Sequence, residues 1–451
     1  MDHKPRVFCG FRTLRATQLS MGLPDALFNI MDVFYRHFQE AKNIIQRRLP
    51  PSSYVGQQPD LSRLAVSLDE KHEISPVEYA HDPVPNTPAY VAVSDFPFPK
   101  SAFEANNRHQ SFAIRLQPRL SCLPYRCSLD ATYENRFWKS GLESSCILLQ
   151  LLAADRSATD IVVGNDITMA KLAQKESRHG MEHRFCKAAT YMYPFSDEER
   201  MRLLSSSMVM MFLFDDKGEE TSEISLKTFV DDFVQRLGNA SSETSLRSVL
   251  QKHIDSVMQG FRKGDSTAGN GGREVIEAMG QSFQRMRPEK DFQTLGQYLE
   301  FRRDNVGADY VLAAVKFSIG SNIVIADPRL SRYLTLVKDH LAIINDMASF
   351  DKEKRGFEQG SSSDLINIVD VVQRLFSLPD IRSSKALAYA YQLQTEAWMR
   401  EELQVLEDRG DLDAEQWRYL EATYVCAAGN AFFSMTSSRY GGEAAKLHPP
   451  C

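Results

Sequence analysis

Apolar residues recur along this chain mostly at helical spacing, and a strand-like alternation of apolar and polar positions is almost absent. From Pro24 the residues Leu27, Met31, Phe34, Phe38, Ala41 and Ile45 return at steps of four and three, the stripe of an amphipathic helix over about 24–48. Pro24 is acceptable in a first turn, and Pro50-Pro51 stops the helix. Prolines then crowd the stretch from about 50 to 125, with P-V-P-N-T-P and F-P-F-P, which reads as an extended wrapping segment with little regular structure. Beyond it the pattern predicts helices at Tyr133–Ala154, Asp160–Glu176, Ser196–Phe214, Glu223–Leu237, Thr244–Phe261, Arg273–Met286 and Thr294–Arg303. Further helices follow at Val306–Ile323, Pro328–Asp351, Asp364–Leu378, Ser383–Asp408 and Ala414–Thr436. The expectation is an all-α fold of a dozen or so helices. It divides into an N-terminal extension, 1–120, and a main domain, 121–451.

Composition adds limits more than identity. A chain of 451 residues with 43% hydrophobic and 25% charged side chains can bury a large core. Its 53 basic and 59 acidic residues leave a net charge of −6, which offers no reason to expect a nucleic-acid partner. The seven cysteines include no C-x-x-C pair, as expected of reduced thiols in a cytoplasmic protein. No apolar run is long enough to span a bilayer, and the N-terminus lacks a secretory pattern. The helix at 24–48 is expected to pack on the main body, with a partner or membrane surface as the other use of its basic side.

Two loops interrupt the helical pattern. Gly264–Gly272 reads G-D-S-T-A-G-N-G-G and lacks the G-K-S or G-K-T ending that a phosphate-cradling P-loop needs. Arg355–Ser363, R-G-F-E-Q-G-S-S-S, follows an acidic cluster and could serve as a lid.

The candidate chemistry lies in two carboxylate-bearing stretches. Met208–Glu220 reads M-V-M-M-F-L-F-D-D-K-G-E-E, an apolar run that leads straight into Asp215 and Asp216, with Glu219 a turn later. On a helix Asp215 and Glu219 share a face and Asp216 lies about 100° round the axis. Carboxylates at the mouth of an apolar run call for a cation, and an oxygen-only set suits Mg²⁺. In Leu341–Glu353, L-A-I-I-N-D-M-A-S-F-D-K-E, the residues Asn345, Ser349 and Glu353 fall at i, i+4 and i+8. One helical face thus offers an amide oxygen, a hydroxyl and a carboxylate, with Lys352 about 20° from Asn345.

These stretches carry a resemblance. N-D-x-x-S-x-x-x-E with Lys before the Glu resembles the second metal motif of class I terpene cyclases, and D-D-K-G-E resembles their first, in the family's order. Y-L-E-F-R-R-D-N-V-G, Tyr298–Gly307, is similar to the diphosphate-sensing stretch of fungal aristolochene-type cyclases, whose spacing to the glycine selects Arg302. G-N-A-F-F-S-M-T-S-S-R-Y from Gly429 resembles the closing motif and supplies Arg439 and Tyr440. The likeness covers roughly 120–445 and departs from the pattern at Glu219, where Asp is commoner, and at Phe433, where Trp is usual.

The resemblance implies the class I terpenoid synthase helical fold around an apolar cavity, in a fungal sesquiterpene synthase. It implies three Mg²⁺ ions, with Asp215 on one wall and Asn345, Ser349 and Glu353 on the other, Asp216 and Glu219 acting as supporting groups. It assigns Arg302, Lys352, Arg439 and Tyr440 to diphosphate binding, and Phe212 and Phe433 to the cavity lining. The expected substrate is farnesyl diphosphate, ionised and cyclised to a hydrocarbon or alcohol by a monomer or homodimer that does not insert in membranes. The alternatives are a cyclase for geranylgeranyl diphosphate, a chain-elongating prenyltransferase, which would carry two aspartate-rich motifs, and an all-α interaction protein.

Overall fold

In a computed structural model the helix Ala414–Thr436 is buried almost all the way round, from Tyr419 to Thr436, with several other helices packed on it. The structure describes residues 64–65, 73–85, 87, 97–98, 112–155, 168–177, 184–220, 248–265, 269–283, 292–360, 362 and 364–447, with the backbone alone for 185 and 214–220. The helices expected at 24–48 and at 223–237 lie outside the described residues.

In chain order the elements are β1 (Ala113–Arg115), β2 (Tyr133–Asn135), α1 (Trp138–Ala154), α2 (Met169–Glu176), α3 (Ala188–Met192), α4 (Glu198–Glu220), α5 (Val249–Gly264) and α6 (Gly272–Phe283). They continue as α7 (Leu295–Asn305), α8 (Ala308–Ser318), α9 (Ser331–Glu358), α10 (Ile368–Leu375), α11 (Ile381–Arg409), α12 (Ala414–Thr436) and α13 (Ser438–Gly441). α12 packs on α3, α8 and α9; α9 lies between α11 and α12, and α1 runs along α4. The fold is helical, as the periodicity predicts, and no helix among the described residues is long and apolar enough to cross a membrane.

Local chemistry explains most boundaries. α12 starts where Asp413 and Gln416 form a reciprocal capping box. α11 opens on Asp380, whose carboxylate accepts from the Ser383 amide, and closes on Gly410 at φ 65°. The α7–α8 junction turns at Gly307, φ 79°, a left-handed conformation that accounts for the glycine ending the R-R-D-N-V-G stretch.

Three expectations are corrected. Tyr133–Ala154 is not one helix: Tyr133–Asn135 pairs antiparallel with Ala113–Arg115. The side chain of Asn135 then donates to Pro194 O at 2.8 Å and accepts from the Phe137 amide at 2.7 Å, so α1 can begin only beyond it. α4 continues past Phe214 through both aspartates to Glu220. α9 continues past Asp351 to Glu358, taking Lys352, Glu353 and the first residues of the supposed lid into the helix. Gly356 is tolerated there, since a helical glycine costs only ~1 kcal/mol, and the chain leaves at Gly360, φ 71°.

Described parts of the proline-rich region share the main core, where Leu64, Val84, Phe98 and Leu116 are buried. Two backbones approach closely between α12 and α3. A Cβ built on Gly429 would meet Tyr191 O at 2.0 Å, so the glycine of G-N-A-F-F-S lets two backbones touch. Gly429→Ala is expected to lower unfolding stability by about 1–3 kcal/mol, the usual range for overpacking, read as a drop in the urea midpoint.

Candidate active site

The site is built on α9. Helical continuity through Glu358 places Asn345, Ser349 and Glu353 on successive turns of one face, with Lys352 half-buried beside them. Asn345 is the hub: its Oδ1 accepts from Arg302 Nη2 at 2.9 Å, and its Nδ2 donates to the Tyr440 hydroxyl at 3.1 Å. Three chain segments far apart in sequence, α7, α9 and α13, therefore meet at one amide. Ser349 Oγ donates to Asn345 O at 2.8 Å, a local bond that leaves the hydroxyl oxygen able to accept or ligate. Glu353 accepts from Asn367 Nδ2 at 2.9 Å.

Behind this face lies Asp346, fully buried. Its Oδ1 accepts from Arg302 Nε at 2.8 Å; its Oδ2 accepts from the Ile368 amide at 3.0 Å and from the Tyr298 hydroxyl. Arg302 also donates to Asn305 Oδ1. The guanidinium is thereby clamped from two sides, with its planar fork oriented by charge-assisted bonds. Arg303 turns elsewhere, forming a two-pronged pair with Asp339 at 2.6 and 3.0 Å.

The electrostatics of the wall call for positive charge. Burial pushes the Asp346 carboxyl up, while Arg302 and the hydrogen bonds from Tyr298 and Ile368 pull it down. Burial of its carboxyl likewise raises Glu353, opposed by Arg302 and reinforced by the neighbouring charge of Asp346. Two carboxylates share one arginine in a dry surround, so a cation at the exposed side of Asn345 and Glu353 would be stabilised. The donors present are oxygens throughout, the set that a hard divalent ion such as Mg²⁺ prefers.

The facing wall is α4. The helix runs unbroken through the positions of Asp215, Asp216 and Glu219, whose side chains lie outside the described residues. One turn earlier on the same face, Phe212 lies under the Arg439 guanidinium, 4.9 Å from ring centroid to carbon. Phe212 and Phe433 are 5.8 Å apart between ring centroids, and Phe433 and Tyr440 5.9 Å. Arg439 thus bridges the α4 wall and the α13 turn that also reaches Asn345. The structure brings together Arg302, Asn345, Tyr440, Arg439, Phe212 and Phe433, with Ser349 and Glu353 continuing along α9.

Several functional groups escape a reading of the sequence. Asp346 stands inside the N-D-x-x-S motif beside Asn345, yet nothing local says that it clamps Arg302. Tyr298 and Asn305 lie four residues before and three after Arg302 on α7, a helical spacing that could have flagged both. Asn367 has only its role as the N-cap of α10 to signal it. A separate buried trio, Cys127, His340 and Glu396, also has potential ligand atoms close together. Its carboxylate already accepts from His340, Gln392 and the Ser128 amide at 3.0, 2.6 and 2.7 Å, so its hydrogen-bonding capacity is filled without an ion.

Residues 206–400 match the family model described as terpene synthase family 2, C-terminal metal binding, a span that contains the C-terminal part of α4 and all of α7 and α9. Terpene cyclase 6 of Gibberella fujikuroi is 24% identical over 380 residues, covering 81% of this chain and 95% of its own. Aristolochene synthase of Aspergillus terreus is 28% identical over 149 residues, 32% of this chain and 46% of its own. A solved single-site variant of cucumene synthase superposes with a TM-score of 0.51 at 15% identity, covering 67% of this chain and 97% of that one, a likeness of fold. The centre of the chain thus matches a metal-binding terpene-synthase region, and over most of its length the chain is similar to a terpene cyclase.

Proposed function

We propose that the enzyme ionises farnesyl diphosphate and cyclises the resulting carbocation to a sesquiterpene hydrocarbon or alcohol, with three Mg²⁺ ions. The observation that carries this reading is the junction at Asn345, where Arg302 and Tyr440 converge on a candidate metal ligand and Arg439 joins them to the α4 wall. Asp215 on α4, supported by Asp216 and Glu219, and Asn345, Ser349 and Glu353 on α9 would hold the ions. Bound there, Mg²⁺ would supply positive charge to a departing diphosphate.

The chain's own residues do the rest. Arg302, Lys352, Arg439 and Tyr440 donate hydrogen bonds to the diphosphate oxygens as negative charge develops on them, an oriented field in a site largely free of water. Phe212 and Phe433 face the cation with π-electron density, worth ~0.5–2 kcal/mol per contact when desolvated. Neither ring offers a nucleophile that would capture the intermediate. The catalytic body in this reading is 121–451, with 1–120 as an extension that contributes core residues.

Incubation with Mg²⁺ and farnesyl diphosphate is expected to give inorganic diphosphate and a volatile product of sesquiterpene mass, with activity lost on chelation. Parallel reactions with geranylgeranyl diphosphate, and with added isopentenyl diphosphate, separate a larger-substrate cyclase and a chain-elongating enzyme. Folded protein that consumes neither prenyl diphosphate would overturn the reading.

A further inference from the structure

The described residues 73–85 contain no helix or strand, yet they are pinned at nearly every step as a strap over the helical body. Trp138 Nε1 donates to Glu73 O at 2.8 Å, the Ser75 amide donates to Glu134 at 2.9 Å, and Lys187 donates to Pro76 O. At the other end Arg126 Nε donates to Asp82 at 2.9 Å. Between these anchors the strap crosses the turn that carries Arg439 and Tyr440.

The contacts at that crossing are specific. Tyr79 Oη donates to Gly442 O at 2.8 Å, two residues beyond Tyr440. The amide of His81 donates to Met435 O at 3.0 Å, and its Nδ1 lies 3.1 Å from the same oxygen. Met435 O is one of the last carbonyls of α12, which lack a donor within the helix. Leu447 N donates to Ala80 O at 2.8 Å. The turn is thus held on both sides of Arg439-Tyr440 by three consecutive strap residues. Because a carbonyl can only accept, His81 Nδ1 carries the proton. Its Nε2 is buried with no hydrogen bond, and burial depresses the imidazole pKa to about 4, so the neutral ring holds the bond.

The two glycines after Arg439-Tyr440 record the same fit. A Cβ on Gly441 would lie 2.2 Å from Tyr79 Oη and 2.7 Å from His81 Cγ. Gly442 adopts φ 68°, ψ 177°, a region open essentially to glycine alone. Glycine at both places lets the strap sit directly on the turn.

We infer that Tyr79 and His81 are positioning residues for diphosphate binding: the strap sets the orientation of the turn from which Arg439 and Tyr440 reach the site. This rests on the proposal that those two residues receive diphosphate, and the test separates the two ideas. The full-length enzyme is titrated with inorganic diphosphate in the presence of Mg²⁺, and KM and kcat are measured with farnesyl diphosphate. Tyr79→Phe removes one hydroxyl and keeps the ring; it is expected to weaken diphosphate binding and raise KM by about fivefold, the effect of one hydrogen bond, with a smaller change in kcat. Gly441→Ala, which lifts the strap, is expected to exceed it. Trp138→Phe deletes a bond of the same kind at the far end of the strap, and diphosphate affinity should stay at the wild-type value.

If Arg439→Ala binds inorganic diphosphate as well as the wild type does, the role of the turn itself fails. If Arg439→Ala weakens binding while Tyr79→Phe and Gly441→Ala do not, the positioning role is overturned. Equal losses in Tyr79→Phe and Trp138→Phe also overturn it, because the strap would then act only through general stability.

Discussion

Asn345→Ala and Glu353→Ala are each expected to reduce turnover of a prenyl diphosphate by roughly a hundred- to a thousandfold, the scale on which loss of one preorganised charge-stabilising group is felt, while the protein stays folded. Asn345 bonds both Arg302 and Tyr440, so its truncation removes a proposed ligand and unties two proposed diphosphate donors at once. Arg302 keeps its bond to Asp346, which is why the fold should survive. Glu353 is a carboxylate raised by burial, so its removal relieves a desolvation cost that offsets part of the loss of its bond to Asn367. Single-turnover rates across a Mg²⁺ titration, alongside thermal unfolding, read both effects. Activity within a few fold of wild type in either variant would remove α9 from the metal site.

Asp346→Ala is expected to cost more in stability than any change on the exposed face. It strips a fully buried carboxylate from Arg302, Tyr298 and the Ile368 amide and strands a guanidinium that is itself buried. Breaking one side of a buried pair typically costs about 3–5 kcal/mol because the remaining charge has no compensation. Urea unfolding measures it, and turnover should fall as well, since Arg302 loses the bond that orients it toward Asn345. The double variant Arg302→Met with Asp346→Leu separates the two roles: removing both charges should restore much of the stability, but not activity. An unchanged urea midpoint in Asp346→Ala would show that Arg302 is held by other contacts.

Much of the helical frame was legible because helix formation is a local property. The span Ala414–Thr436 coincides with α12, since an acidic cap stands just before it and a glutamine three residues on from that cap and a long apolar run lie within it. The spacing of Asn345, Ser349 and Glu353 was equally legible, because one face of one helix is determined by residue number alone. Tyr133–Asn135 shows where such reading stops. Its composition permits a helix, and only pairing with Ala113–Arg115, a partner outside the local window, makes it a strand.

By itself, then, the sequence determined that the chain is helical, which residues share a face of α9, and that acidic groups end an apolar run on α4. Each of these depends on neighbours within a turn or two. Only the tertiary structure decided that Arg302 is clamped by Asp346, that Arg439 lies over Phe212, and that Tyr79 and His81 hold the turn bearing Arg439 and Tyr440. Those contacts join residues from dozens to hundreds of positions apart, and their partners are chosen by how the helices pack and by which buried polar groups still lack a bond.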